Sequence, residues 1–180
     1  MSSRPSTRPS EAMHIRSAVP ADATALRAIY APFVETTAVS FEEVVPTIEQ
    51  FTARIAKALQ GWAWLVAERD GRCLGYAYGS MHRERAAYRW SVEVSAYVHP
   101  SSYRQGVGAA LYGSLLEVLA AKGFCNAYAG ITLPNGASVA LHKKFGFQPI
   151  GVFKSAGRKF GQWHDVAWMQ RALRDSPPSG

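Results

Sequence analysis

The segment "SVEVSAYVHPSSYRQGVGAALYGSLLEVLAAKG", residues 91–123, constrains the fold more than any other. It begins with an alternation, Val92, Val94, Ala96 and Val98 against Ser91, Glu93, Ser95 and Tyr97, which is the period of a half-buried strand. The period then becomes helical, with Leu111, Leu115, Val118 and Leu119 on one stripe and Gly123 as the stop. Gly106 and Gly108 lie between the two. A strand that enters a helix through small residues exposes backbone N–H groups at the positive end of the helix dipole, where phosphate binds. Local spacing leaves two readings of this turn. It is a phosphate cradle to which Arg104 adds a charge-assisted contact, or a tight turn whose glycines satisfy only backbone angles. Two familiar phosphate motifs are excluded. There is no G-x-x-x-x-G-K-[ST], and "GVG" lacks the third glycine and the βαβ setting of a dinucleotide fold.

The remaining segments place this unit in a mixed domain. In "PADATALRAIYAPFVE", Leu26, Ile29, Tyr30 and Phe33 recur at helical spacing, and "TIEQFTARIAKAL" repeats the pattern with Ile48, Phe51, Ile55 and Leu59. "WAWLVAERDGRCLGYAYGS" reads as two strands joined at Asp70-Gly71. After the long helix come a strand in "CNAYAGIT", a turn and short helix in "LPNGASVALHKKFGF" ending at Gly146, and strands around "PIGVFKSAG" and "HDVAWMQRAL". This order predicts an α/β (α+β) domain with a mixed, mostly antiparallel central sheet flanked by helices, not a doubly wound repeat. A chain of 180 residues suits one such domain, expected over 14–173, with a disordered leader at 1–13 and a flexible tail at 174–180.

Composition narrows the partners. The net charge is +7, but the basic residues are scattered and no RNA-binding signature or zinc-finger spacing occurs, so an anionic small ligand is favoured over nucleic acid. No apolar run approaches the roughly 20 residues of a membrane helix. Cys73 and Cys125 stand in separate strand-like segments without metal-ligand spacing, which reads as two reduced thiols, no metal and a cytoplasmic setting.

"YRQGVGAAL" after a strand, with "LPNGASVALHKKFGF" some thirty residues on, resembles the GNAT superfamily of N-acetyltransferases. "VETTAVSFEE", "RAAYRWSVEVSAYVHP" and "GRKFGQWHDVAWMQ" narrow the resemblance to the phosphinothricin and methionine sulfoximine acetyltransferase group, across Ile15 to Met169. The resemblance implies a GNAT fold, acetyl-CoA as co-substrate, an amino-acid-like acceptor acetylated by direct attack in a ternary complex, and a homodimer. It assigns the CoA pyrophosphate to Arg104, Gln105, Gly106, Val107, Gly108 and Ala109. Tyr103 stands where relatives carry Gln or Arg, which leaves the backbone amides to bind it. Pantetheine is expected along Ala96, Tyr97 and Val98, in a strand that the resemblance gives a bulge, and against Asn135, whose other reading is a turn former.

Glu93 matches the family's catalytic glutamate and is the expected base; by itself it reads as a solvated strand carboxylate. His142 occupies a position where many relatives carry a tyrosine, and reads either as a donor to the leaving thiolate or as a packed histidine. Tyr112 is a second hydroxyl near the expected thiol, with packing as the preferred role. For the acceptor pocket the resemblance assigns Phe33, Glu35, Thr36, Arg85 and Tyr88. Arg85 would fork onto the acceptor carboxylate, with Arg83 as its neighbouring alternative and a solvated charge as the plain reading of either. His164 and Asp165 read first as structural. The rival functions are acetylation of peptide or protein amines, which needs an open groove, and a CoA-binding module without catalysis.

Overall fold

A computed structural model describes residues 12–174, so the leader and tail expected at the termini lie almost wholly outside the described residues. Four helices, α1 (Ala23–Thr36), α2 (Ile48–Gly61), α3 (Val107–Ala121) and α4 (Gly136–Lys144), flank one sheet. Its strands are β1 (His14–Ser17), β2 (Trp64–Arg69), β3 (Arg72–Met81), β4 (Ser91–Val98), β5 (Asn126–Thr132), β6 (Gln148–Lys159) and β7 (Gln162–Ala172). They lie in the order β1-β2-β3-β4-β5-β7-β6, and every neighbouring pair is antiparallel except β4 and β5. This is the mixed, mostly antiparallel sheet flanked by helices that the order of elements predicts. One strand is additional: β1 pairs with β2, but its four residues carry a single large apolar side chain, Ile15, too little for a periodic signal.

Two apolar layers hold the sheet. On one face, Val107, Leu111, Leu115 and Leu119 of α3 pack on Val92 and Val94 of β4, while Tyr112 and Leu116 complete the buried stripe and Val118 is only partly covered. On the other face, Leu26, Ile29 and Tyr30 of α1 and Phe51 and Ile55 of α2 cover Trp64, Val66 and Tyr76. The alternation of β4 divides its side chains between these layers, and Glu93, Ser95 and Tyr97 fall on the α1–α2 side. Asp70 and Gly71 both adopt positive φ in the β2–β3 turn, as the Asp-Gly signal requires. Phe160 and Gly161 do the same between β6 and β7, with a residue type that does not announce such a turn.

Candidate active site

The site begins where the parallel pair separates. β4 pairs with β3 from Val92 to Val98, but with β5 only through Ser91, Val92 and Glu93. Beyond Glu93 the two strands diverge, and β5 runs on to Thr132 beside β7. A slot results, lined on one side by Val94, Ser95, Ala96 and Tyr97 and on the other by Gly130, Ile131 and Thr132. The bulge expected in β4 is absent from its pairing with β3, whose register is unbroken. Divergence from β5 leaves one backbone edge of β4 beyond Glu93 without a strand partner among the described residues.

The glycine turn lies at one end of this slot. Arg104 and Gly106 both take positive φ, 61° and 78°, and Gly106 is the N-cap of α3. Among the described residues no side chain caps the helix, so its first amides remain available to an anion. Val107 is buried and anchors the turn, Arg104 is exposed, and Gln105 is held by Ser101 O at 2.8 Å and by Arg69 at 3.2 Å. The two glycines differ in kind. Gly106 answers to its backbone angle. Gly108 has no positive φ, and a Cβ there would lie 3.5 Å from Leu141 and 3.8 Å from Val98, in ordinary contact. Of the two, the backbone thus requires glycine at 106, and at 108 the protein itself leaves room for a methyl group.

Asn135, His142 and Tyr112 line the slot from α4 and α3. Asn135 caps α4 by accepting from the Ser138 N–H at 3.1 Å, a bond that uses its amide oxygen and not its N–H groups. His142 is buried, with Nδ1 2.7 Å from Ser138 O and Nε2 2.7 Å from the Tyr112 hydroxyl. The carbonyl can only accept, so Nδ1 carries a hydrogen, and Tyr112 donates to Nε2 of the neutral ring. Burial keeps the His142 imidazole below its ordinary value and raises the Tyr112 phenol well above its own. Tyr112, read from the sequence as packing, is therefore part of a buried hydrogen-bonded pair in the slot wall.

Glu93 enters from the opposite side. It lines a cavity of about 370 Å³ with Ser40 and Phe41 from the α1–α2 loop and Phe153 and Trp168 from β6 and β7. Val94, Ser95, Gly130 and Thr132 belong to this cavity and to the slot alike, so the two spaces meet where β4 leaves β5. Sequence reasoning missed a partner of Glu93. His82 Nδ1 lies 3.0 Å from Glu93 Oε1. Cross-strand register was the only available signal, since Ser80 pairs with Glu93 and His82 follows two residues later.

The other acceptor-side candidates scatter. Phe33 packs edge-on against Tyr97 at 5.1 Å, and Glu35 and Thr36 are exposed, with the Thr36 hydroxyl donating to Pro32 O. Arg85, Arg83 and Tyr88 line a separate cavity of about 250 Å³. Tyr88 also meets the His82 ring, at 5.7 Å. No Arg or Lys is among the described residues that line the Glu93 cavity. Asp165 accepts from the Ser155 N–H and from Lys154, and His164 faces Lys159 O, so both brace the β6–β7 hairpin.

A family model, the acetyltransferase (GNAT) domain, matches residues 15–168. The chain belongs to the GNAT acetyltransferase family. It is 45% identical over 154 residues to a phosphinothricin N-acetyltransferase of Alcaligenes faecalis, covering 84% of this chain and 78% of the relative. It is 35% identical over 162 residues to an L-methionine sulfoximine/L-methionine sulfone acetyltransferase of Salmonella typhimurium, covering 89% and 95%. A GNAT-superfamily phosphinothricin acetyltransferase from Sinorhizobium meliloti, solved in complex with acetyl-CoA, superposes with a TM-score of 0.89 at 35% identity, covering 93% of this chain and 92% of that one. Among the described residues no group of three or more metal-ligating side chains occurs.

Proposed function

We propose that this protein transfers the acetyl group of acetyl-CoA to the α-amine of a small amino-acid-like acceptor, of the phosphinothricin or methionine sulfoximine type, by direct attack in a ternary complex. The observation that carries this reading is the meeting of two spaces at the strand divergence, one lined by Asn135, Tyr112 and His142, the other by Glu93, with the uncapped start of α3 following β4 in the chain. Amides from Arg104 to Ala109 hold the pyrophosphate, and the open edge of β4 at Ala96 to Val98, with Asn135, holds pantetheine. Glu93 draws in the acceptor ammonium and takes one of its protons. The freed nitrogen pair attacks the thioester carbon, the C–N bond forms and the C–S bond breaks. The second nitrogen proton balances the departing thiolate, beside which the Tyr112–His142 pair stands. Relatives named for these acceptors, at 35–45% identity, support the choice of substrate class.

Arg85 is proposed to clasp the acceptor carboxylate, reached from the cavity that shares Tyr88 with the His82 surroundings. Arg85→Ala is expected to raise the acceptor KM about tenfold, and acetyl-CoA affinity should stay unchanged. We also propose a cytoplasmic homodimer, supported by the exposed apolar side chains Ile150, Val152, Phe153 and Trp163 on the β6–β7 hairpin; sedimentation tests it. One observation favours a second reading. Because the Glu93 cavity carries no basic side chain among the described residues, an acceptor without a free carboxylate, such as a peptide amino terminus, also suits its walls. A thiol-release assay with phosphinothricin, methionine sulfoximine, L-amino acids, their amides and a short peptide separates the two. Turnover of none of them, with acetyl-CoA still bound, would remove catalysis from the reading.

A further inference from the structure

We infer that His82 is the positioning residue of Glu93: its imidazole fixes one carboxylate oxygen and so presents the other to the acceptor ammonium. This rests on the reading of Glu93 as the base. The His82 ring lies face to face with Tyr128 of β5, centroids 4.1 Å apart and planes 9° from parallel. Tyr88 meets it edge-on at 5.7 Å, and Trp168 of β7 does so at 6.5 Å. Its side chain is 9% exposed, against 30% for Glu93. Three separate segments, β5, β7 and the turn before β4, therefore hold the imidazole, whereas the carboxylate beside it borders an open cavity.

That asymmetry gives the pair its direction. A lone carboxylate on a strand has rotamer freedom, and proton transfer loses rate when its acceptor wanders from the reactive geometry. An ionised carboxylate only accepts hydrogen bonds, so Nδ1 bears the hydrogen and donates to Oε1. Oε2 remains to receive the acceptor's proton. The titratable groups in contact with the ring are Glu93 from β4, Tyr88 from the turn before it and Tyr128 from β5. Only Glu93 lines the acceptor cavity. His82 touches no reacting atom and acts through the carboxylate.

His82→Phe keeps a ring against Tyr128 and deletes the hydrogen bond, whereas His82→Asn keeps a donor near the Nδ1 position. With the intact protein and an acceptor that the wild type turns over, His82→Phe should lower kcat about 10- to 100-fold and leave acetyl-CoA Kd unchanged. The acid limb of kcat/KM should move to higher pH, because the charged form of Glu93 loses a donor. His82→Asn should recover part of kcat, and His82→Phe should add nothing in a Glu93→Gln background. Wild-type kinetics in His82→Phe, a lower kcat with an unmoved acid limb, or an equal further loss in the Glu93→Gln background would each overturn the inference. If no acceptor is turned over, the catalytic reading fails separately. The pair itself is then judged by a carbon-13 titration of the Glu93 carboxyl. A higher midpoint in His82→Phe or, should that variant not fold, in His82→Leu supports it, and an unchanged midpoint refutes it.

Discussion

The two halves of the site are built on different principles. The half formed by the glycine turn, the open edge of β4 and the start of α4 comes mostly from two short stretches, 94–112 and 130–142, and much of what it offers is backbone. The half around Glu93 draws its walls from 39–41, 93–97, 130–132 and 153–168, and what it offers is side chains. A backbone donor survives most substitutions but fails when its angle or clearance changes, whereas a side-chain wall can be re-cut at many positions. One architecture can therefore keep a common co-substrate and vary its acceptor.

The contrast is broken most severely at Glu93, the residue nearest the junction. Glu93→Gln should lower kcat by about 10²- to 10⁴-fold with acetyl-CoA Kd unchanged, as steady-state kinetics and calorimetry can establish. A wild-type rate would shift the base to another group. The two glycines sharpen the comparison within the backbone half. Gly108→Ala is expected to weaken acetyl-CoA binding about tenfold without lowering Tm, since the protein itself has room for the methyl. Gly106→Ala should weaken binding and also lower stability by about 1–2 kcal/mol, because a Cβ at φ 78° is strained. Tyr103→Ala should do neither. If Gly108→Ala destabilised the fold and left binding intact, its smallness would be structural after all.

On the side-chain half, a Cβ at Gly157 would fall 2.3 Å from the Phe41 ring, which would have to move. Gly157→Ala should raise the acceptor KM several-fold, with acetyl-CoA affinity held within about twofold. Loss of both would show that the halves are mechanically coupled. The smallest effect expected is on stability. Burial holds the His142 imidazole below its ordinary 6.5, so the folded state disfavours the protonated ring. This contribution is fully present above 6.5 and is lost as the pH falls from there through the lower folded value. His142→Gln should accordingly lose less Tm than wild type between about pH 8 and about pH 5.5, and equal losses would trace the acid sensitivity to other groups.

Legibility followed the same division. Helix, turn and strand were readable from 91 to 123 because period and glycine placement are local signals. The β4–β3 register holds no bulge, and the open edge of β4 comes instead from strand divergence, a property of which strands pair and for how long. The expected acceptor residues Phe33, Glu35 and Thr36 lie near the end of α1, but the loop after it, at Val39 to Phe41, lines the cavity. That loop has no period to read, and the Lys159 ammonium donating to Ser40 O across 119 residues is one of the contacts that fix it.

By itself, the sequence determined the four helices and every strand but β1, their order, the acetyltransferase resemblance and the place of Glu93 on a strand face, because alternation and turn chemistry act between near neighbours. Only the tertiary structure decided that β4 parts from β5 after Glu93, that Tyr112 donates to His142, and that His82 grips the carboxylate. Each of these depends on which distant segments meet, and side-chain hydrogen bonds form only after packing has brought both partners together.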